Sequence, residues 1–306
     1  MMHVEPPLHG KRIGIVGKGG SGKSTLAVFL ATALQKRSYQ VCLLDADSTN
    51  VGLHQALGLM NQPASLIDYF GGMVFSGGAV TCPVDDPTPL NGADLHLTEL
   101  PTAYLAQTEE GIYLLTAGKI GDLGPGAGCD GPISKIARDL HLQIDGSNLV
   151  TLVDFKAGFE DTARGVITGL DWILVVVDPS NAAIQIAIHM KEMIEKIQAG
   201  QLPSTEHIDD PQLAELARKL FKEATIKGLQ VVLNRMRDPE MEAYVRGQIE
   251  SHGLEIAGAF PEDPSITTLW LQGRPIINPK RIDEAEKIVS ALERIAMYSK
   301  KEVKNV

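Results

Sequence analysis

Cysteine is scarce in this chain: its 306 residues hold three, Cys42, Cys82 and Cys129. Three thiols cannot build a disulfide framework, so a reducing, cytoplasmic setting is expected. Long apolar runs are missing as well. No stretch reaches the roughly eighteen apolar residues that a transmembrane helix needs, so no membrane partner is expected. Met1 to Gly10 carries Glu5, Pro6 and Pro7 and lacks the apolar segment of a signal peptide. Positive charge is in deficit, with 28 Lys and Arg against 38 Asp and Glu and a net charge of −10. That balance argues against nucleic acid as a partner, because phosphate contacts need a basic surface. The eight histidines, His3, His9, His54, His96, His141, His189, His207 and His252, do not cluster, and each reads as a surface or core residue rather than a metal ligand. No internal repeat and no low-complexity tract occurs.

What is present is an alternation of apolar runs with helix-like segments. Strands are expected at 12–16, 40–44, 112–117, 149–154, 172–178, 229–234 and 254–260, rich in Val, Ile and Leu on both faces, as buried parallel strands are. Helices are expected at 23–36, 132–141, 162–168, 182–198, with Ser180 as a cap, 212–223 and 240–252. This alternation predicts an α/β fold whose parallel sheet is covered on both sides, with ligands at the carboxyl ends of the strands. Ile282 to Tyr298 repeats apolar residues at helical spacing and reads as a docked terminal helix. One domain over 1–306 is expected, with an irregular insertion at about 60–110 that is least regular from Gly71 to Asp94. Trp172 and Trp270 read as packing residues, as does Cys42 in its strand.

The run Gly17-Lys18-Gly19-Gly20-Ser21-Gly22-Lys23-Ser24-Thr25 follows the first strand and opens the first helix. Gly17 and Gly22 hold the spacing G-x-x-x-x-G-K-[ST]. Glycines let backbone N–H groups approach a triphosphate, and the helix N-terminus adds positive dipole. Lys23 is expected to reach the β- and γ-phosphates and the Ser24 hydroxyl to ligate Mg²⁺. The early lysine, Lys18, makes the motif resemble the deviant Walker motif of the MinD/ParA class, which includes the nitrogenase iron protein. The resemblance implies a P-loop NTPase three-layer sandwich, ATP hydrolysed to ADP with Mg²⁺, and a nucleotide-dependent homodimer across which Lys18 contacts the nucleotide.

The same resemblance assigns further residues. Asp45 and Asp47, at the end of the second strand, would support magnesium through water and position the attacking water, respectively. Ser48 is a weaker candidate beside them. Asp154 closes an apolar strand as a Walker B aspartate does, again acting on magnesium through water, and Gly158 matches the switch glycine whose N–H senses the γ-phosphate. Lys18, Lys23, Asp47 and Asp154 would carry catalysis. Asn234 matches the adenine contact, followed by Arg235, and Pro261 to Pro264, with Asp263, resembles the loop over the base. The guanine-type N-K-x-D motif is absent, since the chain reads Asn234-Arg235-Met236-Arg237, so ATP is favoured over GTP.

The stretches Glu110 to Ile120, Asp154 to Asp161 with Arg164-Gly165, Val177 to Ser180 and Gly273 to Ile276 look like the nickel-insertion ATPases of carbon monoxide dehydrogenase, the CooC type. That resemblance implies metallocentre maturation for a client metalloenzyme. Nickel-insertion members carry a Cys-x-Cys pair; here Gly126-Ala127-Gly128-Cys129-Asp130-Gly131 has glycine for the second cysteine. The string also resembles the first cluster-ligand segment of the nitrogenase iron protein, but the position of that protein's second cysteine is Asp161 here. Cys129 from two copies at a dimer axis would supply two thiolates for Ni²⁺, Zn²⁺ or an iron–sulfur cluster, with Asp130, water or a partner protein completing the shell and Cys82 as a further ligand. Lys156 replaces an acidic residue of the nickel-insertion group and receives no role. An iron–sulfur reductase like the nitrogenase iron protein and a MinD/ParA-type positioning ATPase are the alternatives.

Overall fold

The structure, a computed structural model, describes residues 6–119, 129–145, 149–158, 165–201 and 205–303. In chain order its elements are β1 (Lys11–Gly17), α1 (Lys23–Lys36), β2 (Gln40–Ala46), α2 (Leu53–Ala56), α3 (Leu66–Tyr69), β3 (Asp94–His96), β4 (Ala106–Gln107), β5 (Ile112–Thr116), α4 (Gly131–Asp139), β6 (His141–Gln143), β7 (Leu149–Phe155), β8 (Trp172–Val177), α5 (Asn181–Gln198), α6 (Pro211–Lys222), β9 (Gly228–Met236), α7 (Pro239–Ser251), β10 (Ile256–Pro261), α8 (Pro264–Leu271) and α9 (Pro279–Val303). Eight strands form one sheet in the order β10-β9-β8-β1-β7-β2-β5-β4. Every pairing in it is parallel except β4 with β5. β3 and β6 make a separate short parallel pair.

Strands buried on both faces demand a layer of helices on each side. On one side Leu26, Phe29 and Leu30 of α1 and Ile288 and Leu292 of α9 pack on Ile13, Ile15, Leu152 and Trp172. On the other, Ile133 and Ile136 of α4, Met190 of α5 and Ile249 of α7 pack on Leu44, Val153 and Val175. The result is the three-layer, mostly parallel P-loop NTPase sandwich. α9 is docked, as its spacing predicts: Ile282, Ala285, Ile288, Val289, Leu292 and Ala296 are buried. Tyr39 donates a 3.0 Å hydrogen bond to Glu293 on its flank.

Caps explain several helix starts. Asp210, Asp238 and Asp263 each accept a hydrogen bond from a backbone amide in the first turn of α6, α7 or α8, and a proline follows each at the first helical position. Ser180 caps α5 through the Ala183 amide.

The structure departs from the sequence pattern in the short elements. α8 follows the 261–264 loop directly, and α2, α3, β3, β4 and β6 span too few residues to show a period. Of the helix expected at 162–168, residues 162–164 lie outside the described residues, and Val166–Gly169 is a single 3₁₀ turn. Within Gly71 to Asp94 the chain makes a 3₁₀ turn at Val74–Ser76. Lys135 of α4 anchors this region through Thr81, 2.5 Å away, and Asp86, 3.2 Å away.

Candidate active site

The loop after β1 and the first turn of α1 form the floor of a cleft of about 590 Å³ at the carboxyl ends of the strands. Gly19, Gly20, Gly22, Lys23, Ser24 and Thr25 line it below. Asp47, Asn234, Arg235, Pro261, Asp263 and Trp270 are among the residues of its walls. Gly22 adopts φ +98°, and a Cβ there would lie 2.2 Å from Asn234 Nδ2, so glycine is required both for backbone conformation and for space.

Sheet register brings the phosphate-side carboxylates together. Asp45 on β2 pairs with Asp154 on β7. Both are buried, and Asp154 is wholly inaccessible. Burial pushes the Asp154 carboxyl up to about 7, with the neighbouring Asp45 charge adding to the effect. Burial likewise pushes Asp45 up to about 6, opposed by Lys119. Ser24 Oγ donates to Asp154 Oδ2 at 2.6 Å, and Asn50 Nδ2 donates to Ser24 Oγ at 3.0 Å. Asp154 Oδ1 has no hydrogen-bond partner among the described residues. A buried carboxylate oxygen without a partner, beside a hydroxyl and a second carboxylate, is the donor set a hard divalent cation takes. Ser24, Asp45 and Asp154 therefore fit Mg²⁺.

Several side chains are engaged within the protein in ways the motifs do not reveal. Lys18 reaches Asp178 at 3.4 Å within its own chain. Lys23 is buried, with its ammonium 3.4 Å from the Lys18 carbonyl oxygen. The Gly158 amide donates to the Gly17 carbonyl at 3.2 Å. Asn234 donates to the Ser21 carbonyl at 2.7 Å, so one amide hydrogen braces the loop. Asp47 accepts from the amide and hydroxyl of Thr49 at 2.9 and 2.7 Å. Ser48 is buried with its hydroxyl unpartnered among the described residues. Asp263 caps α8 and meets Arg281 at 3.3 Å. Arg235 holds φ +60° at the end of β9.

Two side chains stand closer to the cleft than their sequence context indicates. Trp270 is no plain packing residue: it lines the cleft, and its Nε1 donates to Thr25 Oγ1 at 2.8 Å. Lys119 donates to Asp45 Oδ2 at 2.7 Å and to the Asp47 carbonyl at 2.6 Å. No spacing rule links these partners in the sequence.

The thiols fall in three environments. Cys42 is buried, and burial pushes its thiol up. Cys129 is exposed. Cys82 packs against Gly131, where a Cβ would lie 2.6 Å from its sulfur, so the fold brings it to the segment of Cys129. Asp130, a candidate to complete a metal shell, accepts from Lys156 at 2.5 Å. This gives Lys156 a structural partner that its sequence context lacks. Among the described residues no group of three or more His, Cys, Asp or Glu converges to hold a metal. Gly126 to Gly128 and Asp161 lie outside the described residues. No helix among the described residues is long and apolar enough to cross a membrane.

Comparison with known proteins agrees with this geometry. Residues 15–276 match the model of the CobQ/CobB/MinD/ParA nucleotide binding domain. An uncharacterized ATP-binding protein of Methanocaldococcus jannaschii is 33% identical over 202 residues, covering 65% of this chain and 79% of its own length. The carbon monoxide dehydrogenase accessory protein CooC of Rhodospirillum rubrum is 25% identical over 289 residues, 93% of this chain and 97% of its own. Among solved structures, the MinC:MinD cell division protein complex of Aquifex aeolicus superposes with a TM-score of 0.57 at 21% identity, covering 93% of this chain and 95% of that one, a likeness of fold.

Proposed function

This chain belongs to the CobQ/CobB/MinD/ParA nucleotide-binding family, and we propose that it is an ATP-hydrolysing, dimerising switch in the maturation of a metalloenzyme. The observation that carries the ATPase reading is the cluster of Lys23, Ser24, Asp45 and Asp154 at one end of the sheet, facing the glycine loop. The likeness to the CooC accessory protein over nearly the whole chain supports the maturation role.

In this reading the backbone amides of Gly19 to Thr25 and the start of α1 hold the phosphates, and Lys23 neutralises their charge. Ser24 would hold Mg²⁺ directly and Asp45 and Asp154 through water, and the ion would supply charge neutralisation to the phosphates. Asp47 orients the attacking water, because phosphoryl transfer asks mainly for positioning. Lys18 leaves Asp178 to meet the nucleotide of a second copy, and Gly158 leaves Gly17 to bind the γ-phosphate. Asn234 retains one amide hydrogen and its carbonyl for the adenine edge. Arg235, Pro261 and Asp263 border the base. The cargo is a soft metal ion held between Cys129 of two copies, with Cys82 beside it.

The test is anaerobic metal analysis of the purified protein with and without Mg-ATP, together with its oligomeric state and a Cys129→Ser control. Near-stoichiometric nickel or zinc, lost in the mutant and dependent on an ATP-driven dimer, is the expected result. Iron with sulfide would favour the reductase alternative. ATP-dependent binding to vesicles or DNA would replace the maturation role with a positioning one.

A further inference from the structure

The base side of the cleft is walled by a helix with little apolar packing of its own. α8 supplies Ile266, Thr267 and Trp270 to that wall, yet none of its residues is fully buried. Apolar burial therefore does little to hold it, and its place depends on polar ties. One is the bond from Trp270 to Thr25. Another lies at its start, where Asp263 Oδ1 accepts from the amide and the hydroxyl of Ser265 at 3.1 and 2.6 Å. The second oxygen of Asp263 is held from the start of α9. Asn278 Nδ2 donates to it at 3.1 Å and Arg281 Nη2 at 3.3 Å.

Arg281 stands where helix stability alone gives no reason for a cation. It is buried, with a side chain 10% exposed, in the first turn of α9, where the helix dipole opposes positive charge. Two carboxylates compensate the buried guanidinium: Nη1 donates to both oxygens of Glu284 at 2.9 Å, and Nη2 donates to Asp263. Nε has no hydrogen-bond partner among the described residues, a cost that these ion pairs leave in place. The side chain also lines a recess of about 20 Å³ with Leu26, Phe29, Val232 and Phe260. Asn234, Pro261 and Ile266 border both this recess and the cleft, so the recess lies directly behind the side assigned to the base.

We infer that Arg281 is a positioning residue for the nucleobase, a role to which no motif assigns it. This rests on the nucleotide reading above. Acting through Asp263, Arg281 fixes the start of α8 and with it the wall of Ile266, Thr267 and Trp270 against which the base packs. Its Nε–H gives the recess behind that wall a donor, which an acceptor atom on the base edge satisfies when the nucleotide binds. The phosphates are held by the glycine loop and Lys23, so Arg281 acts on the base and not on the phosphate chain.

Calorimetry of Mg-ADP binding to the full chain tests this, because stoichiometry counts folded sites and Kd reports the base wall. Arg281→Gln should raise Kd about tenfold at unchanged stoichiometry, the effect of losing one charge-assisted hydrogen bond. Mg-pyrophosphate, which has no base, should bind the variant and the wild type alike. Arg281→Lys, which keeps the charge but not the Nε–H, should recover part of the loss. Asp263→Asn should weaken ADP binding to a similar extent, and the double variant should be no weaker than the worse single one, since the two residues act as one unit. If Arg281→Gln is recovered unfolded, Arg281→Lys completes the same cycle with Asp263→Asn. An Arg281→Gln protein that binds ADP as the wild type does overturns the inference. So does a loss that is equal for ADP and pyrophosphate, or one that multiplies with that of Asp263→Asn. A fall in stoichiometry with Kd unchanged marks a merely structural role and overturns it as well. A wild-type chain that binds neither ADP nor ATP overturns the nucleotide reading itself.

Discussion

Ser24 on the first turn of α1 donates a 2.6 Å hydrogen bond to Asp154 at the end of β7. The bond joins the phosphate loop to the strand that carries the most strongly perturbed carboxylate of the cleft, since burial holds Asp154 near 7.

Protons should therefore compete with the cation. Mg-ADP affinity is expected to weaken as pH falls from about 8 to about 5.5, because the cation takes the ionised carboxylates. The stability of the nucleotide-free chain has the opposite sign. Both carboxyls have folded pKa values above 3.8, so their contribution is fully present below about pH 4 and is lost as pH rises through about 6 and about 7. Asp154→Asn should raise the Tm of the nucleotide-free protein at pH 8 by several degrees, have little effect near pH 5, and weaken Mg-ADP binding. Calorimetric titrations and thermal melts at several pH values check this; Mg-ADP affinity that is flat with pH would refute it.

Gly22→Ala places a methyl group 2.2 Å from Asn234 Nδ2 at φ +98°. It should break the hydrogen bond from Asn234 to Ser21 and abolish nucleotide binding, at a stability cost of about 2 kcal/mol or more. Gly20→Ala is the control: it has φ +76° but nothing within 4 Å of the new Cβ, so only backbone strain of about 1–2 kcal/mol applies. Denaturant titration and ADP binding on both variants separate the steric effect from the conformational one.

Trp270 lines the cleft, while Trp172 is buried in the sheet core. ADP or ATP should change the emission of Trp270 alone. Trp270→Phe should abolish the signal and cost about 1 kcal/mol through the lost bond to Thr25. An unchanged signal in that variant would place the reporter elsewhere.

Arg12 is buried and donates to the Ala137 and Arg138 carbonyls at 2.6 and 2.8 Å, and also to the Gly169 carbonyl. These bonds fasten the C-terminal end of α4 to β1. Burial lowers the guanidinium to about 10, and it stays charged at neutral pH. Arg12→Met should destabilise the fold by about 3 kcal/mol, because buried carbonyls lose their partners, while ADP affinity of the folded fraction stays near wild type. Denaturant unfolding with parallel binding measurements tests both halves.

The long elements were legible because their periods are long. β1, α1, β2, β7, β8 and β9 fall within a residue or two of their patterns, and Ser180 marks the start of α5. The short helix α8 was not legible, because Pro261 to Pro264 reads as a loop and the apolar spacing of Ile266, Leu269 and Trp270 covers barely one helical turn. The phosphate loop was legible because its residues are contiguous. Lys119 and Trp270 were not, since their partners, Asp45 and Thr25, are set by sheet order and helix packing. The ion pair between Asp130 and Lys156 was not legible either, since 26 residues separate the two along the chain.

The sequence by itself determined the glycine loop, the parallel sheet and the carboxylates at the strand ends, because each depends on neighbours close along the chain. Only the tertiary structure decided which charges meet. Register sets Asp45 beside Asp154, and burial then raises both. The end of β5 brings Lys119 to Asp45, and the packing of Gly131 brings Cys82 to the Cys129 segment. Coulomb interactions depend on distance and local dielectric, and both come from how remote segments pack.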